Sequence, residues 1–295
     1  MLTLGIFIYK VNHNLYIEDA KNSVESVLGL TQELIEHEKQ LALSVALMLS
    51  HTETLKQGYL QHNRTLLFQT LQNELPKIKN YLHMDNLEVQ LHSKEGKALV
   101  RSWDFESYGD ELLFFRKGIK LLHEYKTPLV AIELGKRLNI KALTPVFEQG
   151  EVIGSLEVIL NFENIAHKLR EKKIHFAILM DKKFLHIGEW MKNKTSIHEY
   201  ILLNDDCAYC APTLEGLINK QTLEEGFARS NTTLFGFTPL FDIENKQVGY
   251  IGVWFDESLL KESLLLKASL TPTLESLHVT RLHPEIPKNH EIEIR

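Results

Sequence analysis

The sequence predicts an α+β protein in which a long N-terminal helix is followed by two tandem antiparallel-sheet modules. Three observations carry this prediction. Between Leu15 and Leu75 there is no proline, glycine occurs only at Gly29 and Gly58, and apolar residues recur every three or four positions. Beyond Pro76 the texture changes to short alternating segments separated by turn residues. A strand opening on Thr-Pro and facing a glycine-bearing partner occurs twice, as Thr144-Pro-Val-Phe with Val152-Ile-Gly-Ser and as Thr238-Pro-Leu-Phe with Val248-Gly-Tyr-Ile-Gly. Two tandem modules of one design produce such an echo.

The bulk numbers set the frame. A chain of 295 residues has room for two modest domains, or for one with a helical appendage. Its apolar fraction of 44% and charged fraction of 24% are those of a globular protein. A net charge of −6 without a basic stripe argues against nucleic acid as a partner. The basic stretch from Lys168 to Lys173 is broken by Glu171 and reads as a solvated helix end.

Along the chain, residues 1–80 form the helical region. Leu2 to Tyr9 is apolar but too short to span a bilayer, and reads either as the outer end of a membrane helix or as a short buried strand or tail. The stripe Val24, Val27, Leu28, Thr31, Leu34, Ile35 marks one buried helix face. Leu41 to Leu49 is apolar nearly all round and needs cover on more than one side. In the first module, 81–170, strands are predicted over 87–91, 98–100, 128–133, 140–147 and 152–160, with a helix from about Asp110 to Tyr125. In the second, 171–265, strands are predicted over 176–180, 183–187, 234–241 and 247–254, the first two joined by a tight turn at Asp181-Lys182. Glu257 to Leu277 is helix-like, and residues 266–295 carry the helix end and a polar tail.

The first module also holds a run of distinctive pieces. They are Leu91-His92, Leu99-Val-Arg101-Ser-Trp103, Tyr108-Gly-Asp110-Glu-Leu112, Phe115-Arg-Lys-Gly118, Val130-Ala-Ile-Glu133-Leu-Gly135 and Ile153-Gly-Ser-Leu-Glu157. On these the chain resembles the double Cache ectodomains of bacterial chemoreceptors, sensor kinases and diguanylate cyclases, and among them the third double-Cache type. The resemblance covers residues 20–165 well and 175–265 more loosely. It implies PAS-like modules, a membrane-distal one binding a small molecule and a membrane-proximal one relaying the change. It further implies a place in the periplasm on the inner membrane, anchorage by segments outside this chain, a parallel homodimer along the long helix, and neither cofactor nor resident metal. Two departures stand out: Ala131 replaces an expected glycine, and Lys141 stands near where an arginine is common, which keeps charge but loses bidentate geometry.

The ligand-binding residues that follow are His92, Arg101, Trp103, Tyr108, Asp110, Arg116, Glu133 and Lys141. An aromatic wall with an arginine fork and carboxylates suits a small charged metabolite, a carboxylate held by arginine or an amine held by Asp and Glu. Without the resemblance, Trp103 and Tyr108 read as core residues and Arg116 as the partner of Asp110 or Glu111.

Catalysis finds little purchase. There is no Gly-x-Ser-x-Gly, no phosphate-cradling glycine loop and no His-Glu-x-x-His. Glu133 and Glu157 are the one carboxylate pair worth weighing for hydrolysis, and they read equally well as a pocket rim. Cys207-Ala-Tyr-Cys210 has redox spacing, but Asp205 and Asp206 precede it and raise a thiol pKa. His186 or His198 would be needed to complete a zinc site. In an oxidising compartment the pair reads first as a disulfide. A thiol- or metal-dependent periplasmic enzyme and a purely structural dimerisation module therefore stand as alternatives to the receptor reading.

Overall fold

The long helix predicted at the N-terminus is the axis of the protein. The computed structural model describes residues 2–204, 207 and 210–259, with side chains from residue 9 onward. Helix α1 (Leu2–Ser50) buries Ala20, Val24, Thr31, Ile35, Glu38, Ala42, Val45 and Leu49, at steps of three, four and seven that keep one face inward, and near its end Ala46 and Ser50 as well. Two short turns then break the helical region into α2 (Glu53–Leu60) and α3 (Arg64–Leu82), where the sequence suggests one run. Asn63 caps α3 by accepting a bond from Leu66 N, at 3.0 Å. Pro76 lies inside α3 and does not end it, because it sits on the exposed face where the orphaned carbonyl meets water. The apolar start of the chain is helical, and among the described residues no helix is long and apolar enough to cross a membrane.

The first sheet comprises β1 (Glu88–Ser93), β2 (Ala98–Arg101), β3 (Leu129–Leu134), β4 (Leu138–Glu148) and β5 (Glu151–Leu160), in the order β2-β1-β5-β4-β3. All pairings are antiparallel. Helix α4 (Lys117–Tyr125) covers one face, and α1 with α2 covers the other. The helix expected from Asp110 begins only at Lys117, since residues 102–116 form a loop fastened by other means. The second sheet follows α5 (Glu163–Glu171). It comprises β6 (His175–Asp181), β7 (Ser196–Ile197), β8 (Tyr200–Leu202), β9 (Phe227–Ser230), β10 (Thr233–Phe241) and β11 (Gln247–Asp256), ordered β7-β8-β6-β11-β10-β9. Helices α6 (Ala211–Leu217) and α7 (Lys220–Glu225) lie between β8 and β9. The strand expected over 183–187 is instead a 3-10 turn, Lys182–Phe184. Asp181 accepts a bond from Lys183 N at 2.9 Å and so starts a turn where alternation alone suggests a strand. The helix and tail expected beyond Glu257 fall almost wholly outside the described residues.

The Thr-Pro echo has a common structure in the two sheets. Val146 faces Gly154, with a bulge between Val146 and Phe147. Leu240 faces Gly249, with a bulge between Leu240 and Phe241. Each glycine is needed for close approach: a Cβ at Gly154 would strike the Tyr59 ring, and one at Gly249 the backbone carbonyl of Leu179.

Helix α1 touches both sheets, which makes it their common element. Val24 and Leu28 lie against Gly236 of β10, and the same helix packs on β3, β4 and β5 of the first sheet. The start of α1 is clamped to the end of β11, where Tyr16 donates to Glu257 and Arg229 pairs with the same carboxylate at 3.0 Å. Tyr59 ties α2 to β5 by donating to the carbonyl of Ser155 at 2.7 Å, fully inside the protein. Replacing Tyr59 by Phe should cost about 1 kcal/mol, the net worth of one buried bond, read as a lower urea midpoint at unchanged slope.

Candidate functional site

A row of side chains crosses the face of the first sheet that lies under α4. Cross-strand partners Arg101, Gln90 and Glu157 share this face, as do Asn139 with Glu133 and Lys141 with Ile159. Alternate residues of β4, namely Ile140 and Ala142, point the other way, toward α1.

At the centre stands Arg116, just ahead of α4 and 5% exposed. Its Nε and Nη2 donate to Glu133 at 3.2 and 3.0 Å, while Nη1 reaches Glu157 at 3.2 Å and Nη2 makes a further short bond to it. Burial alone would lower the Arg116 pKa, but Glu133 and Glu157 outweigh it and hold the guanidinium above its ordinary value. Glu133 also accepts from Gly118 N at 3.0 Å, so its charge sits at the N-terminus of α4, where the helix dipole favours it. A Cβ at Gly118 would come within 2.7 Å of that carboxylate, so glycine is what lets the helix settle on it.

Lys141 lies beside this cluster and is 4% exposed. Among the described residues no hydrogen bond or ion pair engages its Nζ, which fills the space left by the missing side chain of Gly135, 2.7 Å from where a Cβ would stand. Burial first, and then the neighbouring Arg116, lower its pKa to about 8 against the pull of Glu133 and Glu157. Gln90 Nε2 is likewise buried without a partner.

These two groups open onto a cavity with a free volume of about 40 Å³. Arg101, Arg116, Lys136, Arg137 and Lys141 supply its charged lining. Gln90 and Asn139 add amides, while Trp103, Leu112, Phe115, Ile159 and Trp190 form the apolar part. Arg101 is held by Asp110 at 2.5 Å and by the carbonyl of Ser107 at 2.8 Å. Arg137 pairs with Glu88, and its guanidinium lies 5.6 Å from the Trp103 ring and 5.5 Å from the Trp190 ring.

Of the residues expected to bind ligand, Arg101, Trp103, Arg116 and Lys141 line this cavity. Asp110 and Glu133 stand behind it as partners of arginines. His92 is fully buried, 3.0 Å from the hydroxyl of Ser155, and burial followed by Arg116 pushes its pKa well below the usual histidine value. It is a neutral core residue and not part of the lining. Tyr108 is 55% exposed and lies under the guanidinium of Arg64, 3.5 Å from the ring centroid. Arg64 also bonds the carbonyls of Leu99 and Phe105, at 2.8 and 2.5 Å, so Tyr108 helps fasten the 102–116 loop.

The residues that sequence reasoning missed are Gln90, Leu112, Phe115, Lys136, Arg137, Asn139, Ile159 and Trp190. Arg137 and Asn139 precede Lys141 at steps of two, which is a readable signal once β4 is extended to its true start. Trp190 comes from the second sheet's region, on the short turn Glu189–Met191, and docks by donating its backbone N–H to Lys136 O at 3.2 Å. Nothing local in the sequence marks it. A second cavity of about 240 Å³ lies at the same junction and shares Arg137 and Asn139 with the first.

Cys207 and Cys210, expected as a disulfide, are two separate thiols here, both buried in the core of the second module. The hydrogen bond that Cys207 donates to Cys210, and burial, raise the Cys207 pKa, which keeps the thiol protonated and poorly nucleophilic. Among the described residues no three His, Cys, Asp or Glu side chains gather as a metal site.

The sequence model of the third double-Cache type, described as the double sensory domain of two-component sensor kinase, matches residues 17–258. Several solved sensor domains resemble the chain at low identity. The sensor domain of the histidine kinase DctB from V. cholerae is 12% identical, with 80% of this chain and 96% of that one covered at a TM-score of 0.47. The ligand-binding domain of the Pseudomonas fluorescens chemoreceptor CtaA, in complex with L-isoleucine, is 14% identical, covering 85% and 98% at 0.47. That of the Campylobacter jejuni chemoreceptor Tlp3, in complex with L-valine, is 15% identical, covering 84% and 96% at 0.42. No curated protein matches the sequence.

Proposed function

The chain belongs to the double sensory domain family of two-component sensor kinases, and from that premise we propose that it is the extracytoplasmic ligand-sensing region of a bacterial membrane receptor. The small-molecule site is the cavity of the first, membrane-distal module. The observation that carries this reading is Gln90 Nε2, buried without a protein partner, in a lining that it shares with the buried Lys141. Buried polar groups are almost always satisfied, so an unsatisfied amide facing a cavity lined with cations points to a ligand that completes it.

The relay follows from the way the modules share parts. Trp190 of the second module lies against the cavity wall on Arg137, and α1 runs beneath both sheets. A ligand that draws Arg137 or Lys136 inward favours one seating of the Glu189–Met191 turn over another. That is a population shift passed to the proximal module and along α1 toward the membrane. Residues 9–15 of α1 are exposed on nearly every side, in keeping with a parallel homodimer along this helix.

The test is a thermal-shift screen of the chain with organic acids, amino acids and amines, with Trp103→Ala alongside. A ligand at 100 times its Kd should stabilise by about 2.7 kcal/mol, roughly 5–10 °C for a protein of this size. A shift lost in Trp103→Ala supports the distal site. Compounds of every class leaving Tm unmoved would overturn small-molecule sensing here.

A further inference from the structure

We infer that the distal cavity takes a small organic carboxylate without an ammonium group, a class finer than the sensing reading on which it rests. The argument is the sign of what faces the cavity. Every charged side chain in its lining is a cation, from Arg101 on β2 to Lys141 on β4. The acids nearby are turned away onto those cations. Glu133 and Glu157 close on Arg116, Asp110 on Arg101, and Glu88 on Arg137. An amine or the ammonium of an amino acid would therefore meet five cations and no free carboxylate acceptor. A carboxylate meets those cations and the N–H groups of the Gln90 and Asn139 amides.

Two of those donors are ready for it. Lys141 and Gln90 lie on adjacent rows of one sheet face; Gln90 Nε2 is buried without a partner, and among the described residues no hydrogen bond or ion pair engages Lys141 Nζ. A carboxylate between them satisfies both and gives the buried ammonium its counter-charge. Size points the same way. A cavity near 150 Å³ encloses benzene, whereas this one offers about 40 Å³, room for a carboxylate head with the rest of the molecule in the mouth. The lining is partly apolar, with Trp103, Phe115 and Ile159, which favours a carbon skeleton over an inorganic anion. The larger neighbouring cavity is a weaker candidate, since Asn204 and Lys194 in its wall are engaged with backbone carbonyls.

The experiment is calorimetric titration of the chain with sodium acetate, pyruvate, malonate and succinate at constant ionic strength. L-alanine, ethylamine, phosphate and sulfate form the comparison set. At least one carboxylate should bind saturably, and more than tenfold more tightly than its α-amino counterpart. Lys141→Met and Gln90→Met should each weaken it tenfold or more. Gln90→Met guards against a folding defect in Lys141→Met, because it removes a buried amide that already lacks a partner. Amines or amino acids binding in preference, with that binding lost in Trp103→Ala, would overturn the ligand class and leave the sensing reading intact. Phosphate or sulfate outcompeting every carboxylate would overturn the organic carboxylate. Failure of all classes would sink the sensing reading itself.

Discussion

Arg116→Met is expected to destabilise the protein by about 3–5 kcal/mol, the cost of stranding buried charges by removing their partner. Arg116 is held by two carboxylates from opposite sides, Glu133 at 2% exposure and Glu157 fully buried. Removing the guanidinium leaves both where water cannot reach them, and Gly118 N supplies a single compensating bond. Against a total stability of about 5–15 kcal/mol, that loss moves the urea midpoint far down. Arg116→Lys should fall between, since one ammonium cannot bond two carboxylates through a planar fork. The decisive measurement is a cycle. In a Glu133→Gln, Glu157→Gln background, the Arg116→Met cost should shrink by at least 2 kcal/mol if charge stranding is the cause. A loss below about 1 kcal/mol in the otherwise wild-type chain would mean that water enters the cluster and that the ion network carries little of the fold. Either way Arg116, the most conspicuous cation of the sequence motif, is a poor probe of binding, because its loss disturbs the module before it disturbs a ligand.

That distinction was only half legible in the sequence. The strands of the first sheet and the two Thr-Pro hairpins could be read, because alternation and turn chemistry are local. The cluster could not be sorted by the same means. Arg116, Glu133 and Glu157 come from three elements, and which acid meets which base is decided by α4 settling on Gly118. Tyr108 looked like a wall of the pocket because its role is set by Arg64, forty-four residues earlier in the chain. The stretch 183–187 alternates as a strand does, yet the Asp181 side chain starts a turn that overrides the alternation. Trp190 belongs to the other module, and contacts distant in sequence bring it to the cavity, its own N–H to Lys136 O at 3.2 Å and Leu138 N to the Met191 sulfur at 3.5 Å. Cys207 and Cys210 have spacing that suits a disulfide, but spacing does not report that both side chains sit in an apolar core.

Between pH 8 and pH 10 the chain without ligand should gain stability relative to Lys141→Met, by an amount approaching about 3 kcal/mol if followed to the unfolded lysine pKa. The sign follows from Lys141 being lowered from 10.5 to about 8 in the fold. In that window the unfolded chain binds more protons than the native one, so stability rises with pH, and below pH 8 the full cost of the buried ammonium is present. The charged groups around Lys141 are Arg116 ahead of α4, Glu133 on β3, Glu157 on β5 and Arg137 just ahead of β4, and the two acids do not cancel the burial. Cys207 and Tyr59 work in the opposite direction. Their folded pKa values are raised, so stability is lost as their unfolded counterparts ionise, which is why the comparison with Lys141→Met is needed. His92, lowered in the fold, acts elsewhere, removing stability as pH falls below about 6.5. Urea unfolding of both proteins at half-unit steps of pH reads the difference directly. A flat difference from pH 8 to 10 would mean that Lys141 is solvated and ordinary, and the cavity would lose its strongest anchor for an anion. A rising difference that a saturating carboxylate flattens would tie the cost of the empty site to the ligand that relieves it. A sensor needs that link, because a charge left uncompensated at rest gives the bound state its advantage.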